Sequence, residues 1–147
     1  MNVSRKINEI QRCSMLYRNS MSEETGIGGH AFSYMFRIYH HPGLRQDELR
    51  KEMHVNKSNV TRVLAHLEEK EMIYRTVDPT DRRAVNVYLT PKGEQLIPKL
   101  RKIVKTWNEQ LSQSFDETEW EDFMKKLDIV CERAVQMVEE LEREDAK

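Results

Sequence analysis

Residues 56–93, NKSNVTRVLAHLEEKEMIYRTVDPTDRRAVNVYLTPKG, decide how this chain is read. Asn56 is a helix-capping residue type, and behind it Val60, Val63, Leu64 and Leu67 recur at helical spacing on one inward face. A turn of about 100° per residue puts Ser58, Arg62, Ala65 and Glu69 on the opposite face, flanked by Thr61 and by Asn59 and His66. After Met72 the period changes from helical to alternating. The stretches IYRTV and AVNVYLT bracket Asp78-Pro79-Thr80-Asp81-Arg82-Arg83, with Val85, Val87 and Leu89 on one face and Asn86 and Tyr88 on the other. A helix is thus followed at once by a hairpin with an arginine-bearing tip.

The outward face of this helix differs from an ordinary solvated one, which would more often carry Lys and Glu. Its small hydroxyls and alanine allow close approach to base edges, Arg62 can reach a guanine or a phosphate, and Glu69 lies at the far end. Two arginines on a turn are ill suited to a core, whereas the negative potential of a narrow minor groove attracts guanidinium groups. Asp81 beside them fits an intramolecular partner that orients an arginine fork. Together these elements predict a winged helix-turn-helix that reads double-stranded DNA.

Working outward, 147 residues and 17.5 kDa suffice for one domain with its own core. The 38% apolar and 33% charged content, with 5 Gly and 4 Pro, predicts a helix-rich folded chain rather than a disordered one. No apolar run approaches the roughly 20 residues of a membrane span. The opening MNVSRKINEIQRCSM is too polar for a signal peptide, so the expected location is cytoplasmic, with no membrane partner. Cys13 and Cys131 lie far apart without a CxxC, which suggests neither a disulfide framework nor a metal site.

The net charge of −1 conceals a segregation. Residues 45–105 carry 14 Lys and Arg against 9 Asp and Glu, and residues 106–147 carry 5 against 13. A basic middle and an acidic end let one part approach phosphates while the other stays away.

Upstream, Val3, Ile7, Ile10, Cys13 and Tyr17 predict a first helix over Val3 to Met21 with one buried stripe, broken by Gly26, Gly28 and Gly29. A second, aromatic-rich helix is expected over about Ala31 to His40, ending before Pro42-Gly43, and a short third one over about Gln46 to Met53. Downstream, Thr90-Pro91 starts a fifth helix that reaches about Gln113. Asp116 and Glu119 form a capping box for the last helix. Within that helix Trp120, Met124, Leu127, Cys131, Ala134, Val138 and Leu141 alternate at four and three spacing, a heptad seam that calls for a partner. A homodimer follows, and its two-fold symmetry would match a palindromic site.

The order of elements, with HVNKSNVTRVLAHLEEKEMIYRTVDPTDRRAVNVYLTPKG, resembles the MarR family of bacterial transcription regulators over nearly the whole chain, most specifically in DPTDRRAVNVYLTPKG. The resemblance implies a mainly α fold with a β-hairpin wing: a winged helix-turn-helix region over 30–93, and a helical dimerisation region over 1–25 and 94–147, within one domain. It implies a dimer whose fourth helix enters the major groove of a pseudo-palindromic operator while a wing arginine enters the minor groove. Carried over by position, Ser58, Asn59, Thr61 and Arg62 become major-groove contacts, Arg83 the minor-groove arginine, Asp81 its anchor and Arg82 a backbone contact. This chain departs from the family pattern at Arg45, where a small N-cap residue is usual, and at Arg50, where an alanine is usual. It also departs at His54 and Glu71, where the family has turn glycines. Glu71 at positive φ would cost about 1 kcal/mol, and Arg45 and Arg50 are candidates for extra phosphate-backbone contacts.

Two kinds of signal remain open, and the expected action is that of a repressor released by one of them. Cys13, four residues before Tyr17, resembles the placement of the peroxide-sensing cysteine in the organic-hydroperoxide branch of the family, although a small apolar core position explains it as well. A small aromatic effector held near Tyr17, Tyr34 and Trp107, with Phe32, Phe36 and Tyr39, is the other, and core packing explains those residues more simply. His40 and His41 are adjacent and point differently, so no metal is expected, and no cofactor motif is present. A catalytic reading finds no Gly-rich phosphate loop, no GxSxG elbow and no zinc-hydrolase spacing. The competing reading from another class is a winged-helix protein-interaction module, which would be expected to replace the cationic tip with an exposed apolar patch.

Overall fold

The computed structural model describes residues 1–147. Its elements are α1 (Val3–Asn19), α2 (Ser22–Thr25), a 3₁₀ turn (Gly29–Ala31), α3 (Phe32–His40), β1 (Leu44–Arg45), α4 (Gln46–Glu52), α5 (Lys57–Glu69), β2 (Ile73–Val77), β3 (Val85–Leu89), α6 (Pro91–Ser112) and α7 (Glu117–Asp145). The helix expected fourth is therefore α5, because a helical turn at Ser22–Thr25 intervenes. The chain forms two compact units, Met1–Lys105 and Thr106–Lys147.

In the first unit α5 begins where expected, with the Asn56 side chain accepting from the Asn59 N–H at 2.8 Å. Its inward set, Val60, Val63, Leu64 and Leu67, is buried with Phe32, Met35 and Ile38 of α3, Leu49 of α4, Val87 of β3, and Ile97 and Leu100 of α6. Each such side chain removed from water contributes roughly 1.5–3 kcal/mol, which makes this one continuous core the main source of the unit's stability.

The sheet has the order β1-β3-β2, antiparallel throughout. β2 and β3 form the expected hairpin, with Tyr74 opposite Tyr88 and Thr76 opposite Asn86. β1 was not anticipated. Two residues are too short for an alternation signal, and Leu44–Arg45 becomes a strand only by pairing with Val87 and Asn86. That third strand explains why Asn86, on the hairpin's polar face, is buried.

Helix ends follow local chemistry. In α5 the Met72 N–H bonds to the Leu67 carbonyl at 2.9 Å and the Glu71 N–H to the Glu68 carbonyl at 3.0 Å, a Schellman arrangement with Glu71 at φ 60°. α4 ends in the same way, with His54 at φ 53°. The expected left-handed positions are therefore occupied by side chains that disfavour them. Glu71→Gly should stabilise the chain by about 1 kcal/mol in urea unfolding, and no gain would mean that the Glu71 side chain compensates, for instance through Lys92, 4.0 Å away.

α1 corrects an expectation. Its stripe is present, but the helix buries no residue, and Val3, Ile7, Ile10 and Leu16 are exposed. Periodicity predicts that a face wants a partner, and within this chain α1 has none for most of its length.

The second unit contains the end of α6 and all of α7. The capping box is present: Asp116 accepts from the Glu119 N–H at 2.8 Å, and Glu119 accepts from the Asp116 N–H at 3.1 Å. Phe115, Trp120 and Phe123 cluster with ring centroids 5.3–6.4 Å apart. α7 likewise has no buried residue, and Met124, Met137, Val138 and Leu141 stand exposed. No helix is long and apolar enough to cross a membrane.

Candidate nucleic-acid interface

α5 displays Ser58, Thr61, Arg62 and Ala65 on its exposed side. Internal bonds set how these side chains stand. Ser58 Oγ donates to Asn56 Oδ1 at 2.9 Å and Thr61 Oγ1 donates to the Lys57 carbonyl at 2.9 Å. Asn59, grouped with them in the sequence, is half-buried, and its carbonyl oxygen accepts from the Tyr34 hydroxyl.

Farther along, His66 Nε2 accepts from the Gly28 N–H at 3.3 Å and its ring lies 5.5 Å from that of His30. His66 thereby ties α5 to the loop before α3. Partial burial, then the neighbouring His66 and Arg62, push the His30 pKa down. The folded state therefore loses stability as the pH falls below the ordinary histidine pKa, since it resists a proton on His30 that the unfolded state accepts.

The wing turn is built differently from its sequence reading. Asp81 does not grip an arginine fork. Its Oδ1 accepts from the backbone N–H of Arg83 at 2.9 Å, so it shapes the turn and leaves the guanidinium free. The anchor is instead Asp78, buried at the base of the tip. Its Oδ1 accepts from the Thr80 hydroxyl at 2.6 Å and from the backbone N–H groups of Thr80 at 2.8 Å and Asp81 at 3.1 Å. Its Oδ2 lies 3.3 Å from Arg45 Nε. The Thr80 hydroxyl and N–H, with the Asn86 amide and the Arg45 charge, hold the Asp78 carboxyl well below the usual carboxylate range. The wing thus stays anchored until the medium is strongly acid.

Arg45 and Asp78 are separated by 33 residues, and neither looked exceptional in the sequence except that Arg45 replaces a small residue. Arg45 and Arg50, candidates there for backbone contacts, are each paired with an aspartate of the chain, Arg50 Nε lying 3.1 Å from Asp47. Arg75 of β2 bonds to Glu68 at 2.6 Å and to Gln46 at 3.4 Å, which fixes the wing strand to α5 and α4.

The cations that remain without an ion pair here are Lys57, Arg62, Arg82 and Arg83, all exposed. Lys57 and Arg83 border a cleft of about 480 Å³ between α4, the start of α5 and the wing turn, which Arg45 and Arg50 also line. A groove flanked by unpaired cations, with small polar side chains on the adjoining helix, can receive a phosphate-rich duplex.

The residues named for an effector differ in burial. Tyr34 is only 3% exposed and bonded to Asn59, so it belongs to the core rather than to a cavity wall. Phe32 is fully buried. Tyr17 and Trp107 are each half-buried. Cys13, which the apolar stripe suggested could be buried, is exposed in the single chain because α1 lacks a partner there.

Comparison with known proteins agrees with this geometry. The MarR family model matches residues 30–85, which hold α3 to α5, β2 and the wing turn. The HTH-type transcriptional regulator BilQ of Clostridioides difficile (strain CD3) is 26% identical over 99 residues, 67% of this chain and 67% of that protein. The crystal structure of a MarR transcriptional regulator from Methanosarcina mazei Go1 superposes with a TM-score of 0.88 at 29% identity, over 92% of this chain and 97% of the other. The S. aureus MepR-DNA complex shares the fold, with a TM-score of 0.83 at 24% identity over 90% of this chain and 98% of its counterpart. With the recognition helix, the anchored wing and these likenesses together, the chain belongs to the MarR family of winged helix-turn-helix transcriptional regulators.

Proposed function

We propose that this regulator is a homodimer that binds double-stranded DNA at two-fold-symmetric operators, acting as a repressor. The observation that carries the reading is the set of unpaired, exposed cations on α5 and the wing, Lys57 and Arg83 bordering one cleft with Arg62 and Arg82 exposed on the same two elements, while the neighbouring Arg45, Arg50 and Arg75 are paired with acids of the chain. A fold neighbour solved with DNA supports it. In the dimer, α1, α6 and α7 form the joining body, α5 enters the major groove and Arg83 the minor groove. Ser58, Asn59, Thr61 and Arg62 face the bases, and Arg82 a phosphate. A protein-interaction module gains nothing from unpaired arginines at the wing tip.

The signal half of the reading is release by a small aromatic ligand or by oxidation of Cys13, either of which must favour a dimer with wrongly spaced reading helices.

The test is recovery of fragmented genomic DNA with the purified protein at near-physiological salt, followed by titration of an enriched duplex. A few loci sharing a two-fold motif are expected, and uniform recovery would defeat operator binding. Arg83→Ala should weaken binding and lower the slope of log affinity against log salt by about one, while an unchanged slope would remove the wing. Benzoates and an organic hydroperoxide, added to the same complex, should release it. Release lost in Cys13→Ser assigns the oxidant, release retained assigns the ligand, and no release by either removes the signal half.

A further inference from the structure

The hydrogen-bonding polarity of the reading face is set inside the protein. Ser58 and Thr61 each direct their single hydroxyl hydrogen inward, to Asn56 Oδ1 and to the Lys57 carbonyl, and so keep only lone pairs for an outside partner. Asn59 has the opposite polarity. Its carbonyl oxygen is taken by the hydroxyl of Tyr34, whose ring belongs to the core, and its Nδ2 hydrogens have no partner in the chain. Arg62 beside it is a donor by chemistry.

From this geometry we propose that Asn59 reads DNA as a donor only, contacting the two acceptors of guanine (N7 and O6), and that Tyr34 is the positioning residue that denies it the two-bond pairing with adenine. The proposal rests on α5 being a groove helix. A free asparagine pairs with adenine through two bonds, its amide hydrogen to N7 and its carbonyl to the N6 amino group. Here the second bond would require the carbonyl to leave Tyr34, and the phenol hydroxyl, on a side chain 97% buried, would lose its partner. Guanine presents two acceptors on the same edge and asks for no carbonyl. Tyr34, a core residue that touches no base, thus chooses a base through Asn59.

The experiment is selection from a randomised duplex library by the full chain and its variants, read by sequencing, with thermal unfolding of each. The column belonging to Asn59 is the one whose preference disappears in Asn59→Ala. It should be guanine in the natural protein. In Tyr34→Phe, which keeps the ring and frees the carbonyl, adenine should gain there by about tenfold, the size of one bidentate base contact, while other columns stay as they were. A merely structural role for Tyr34 would lower binding to all sequences together. Asn59→Asp keeps an acceptor for Tyr34 and turns a second one outward, so the column should change to cytosine. This variant carries the test if Tyr34→Phe does not fold. Adenine, cytosine or thymine in the Asn59 column of the natural protein, a column unmoved in Tyr34→Phe or Asn59→Asp, or no column dependent on Asn59 would overturn the proposal. Absence of any two-fold motif would instead overturn the DNA reading beneath it.

Discussion

Gly93→Ala is expected to destabilise the first unit by about 3 kcal/mol or more, at the upper end of what overpacking costs. Gly93 lies in the first turn of α6, and a Cβ there would stand 2.1 Å from the Met72 carbonyl oxygen. That oxygen cannot easily retreat. It already accepts from the Thr90 N–H at 3.0 Å, while Thr90 Oγ1 donates to the Glu71 carbonyl at 2.6 Å and accepts from the Gly93 N–H at 3.0 Å. Met72 and Ile73 beyond it are core residues. An added methyl group must therefore lift α6 off the turn that joins α5 to the wing, loosening Ile97 and Leu100 as it does so. Urea unfolding measures the loss. Since this contact also seats β2, the variant should lose DNA affinity beyond its unfolded fraction, and a stability within 1 kcal/mol of the natural protein would show that the turn gives way cheaply.

The second large effect concerns the proposed dimer. Met124→Glu combined with Val138→Glu should yield a monomer, with operator affinity reduced about 100-fold or more because two linked half-site contacts become one. Both side chains are exposed in the single chain, so neither glutamate is forced into a core and the isolated fold should survive. They lie on a 29-residue helix that buries nothing of its own and whose apolar residues recur as a heptad seam. α1 has the same character, with Val3, Ile7 and Ile10 exposed. Sedimentation gives the mass and fluorescence anisotropy gives the affinity. A double variant that remains dimeric would remove this seam from the interface, and a monomer with undiminished affinity would separate dimerisation from operator binding.

Much of the interface was legible because its signals are local. Asn56 caps α5, the spacing of Val60, Val63, Leu64 and Leu67 fixes which side faces inward, and Pro79 and the two arginines mark the wing tip. The same local logic found the Asp116–Glu119 box, whereas the left-handed positions of His54 and Glu71 were implied by the family resemblance. It misassigned the anchor of the wing. Asp81 sits beside the arginines in sequence and Asp78 looked like one more turn residue, yet Asp78 is the carboxylate that meets Arg45, 33 residues away. Asn59 met the same limit, since helical geometry gives its angle on α5 but not the hydroxyl that reaches it from Tyr34.

By itself, then, the sequence determined the six longer helices, the hairpin, the inward and outward faces and the family, because each depends on periodicity, capping and turn chemistry within a few residues. Only the tertiary structure decided which cations are neutralised and which stay unpaired, which aspartate holds the wing, and which end of the Asn59 amide faces out. The anchor of the wing and the direction of the Asn59 amide depend on partners brought together from 25 to 33 residues away, and no local pattern records a contact made across the core.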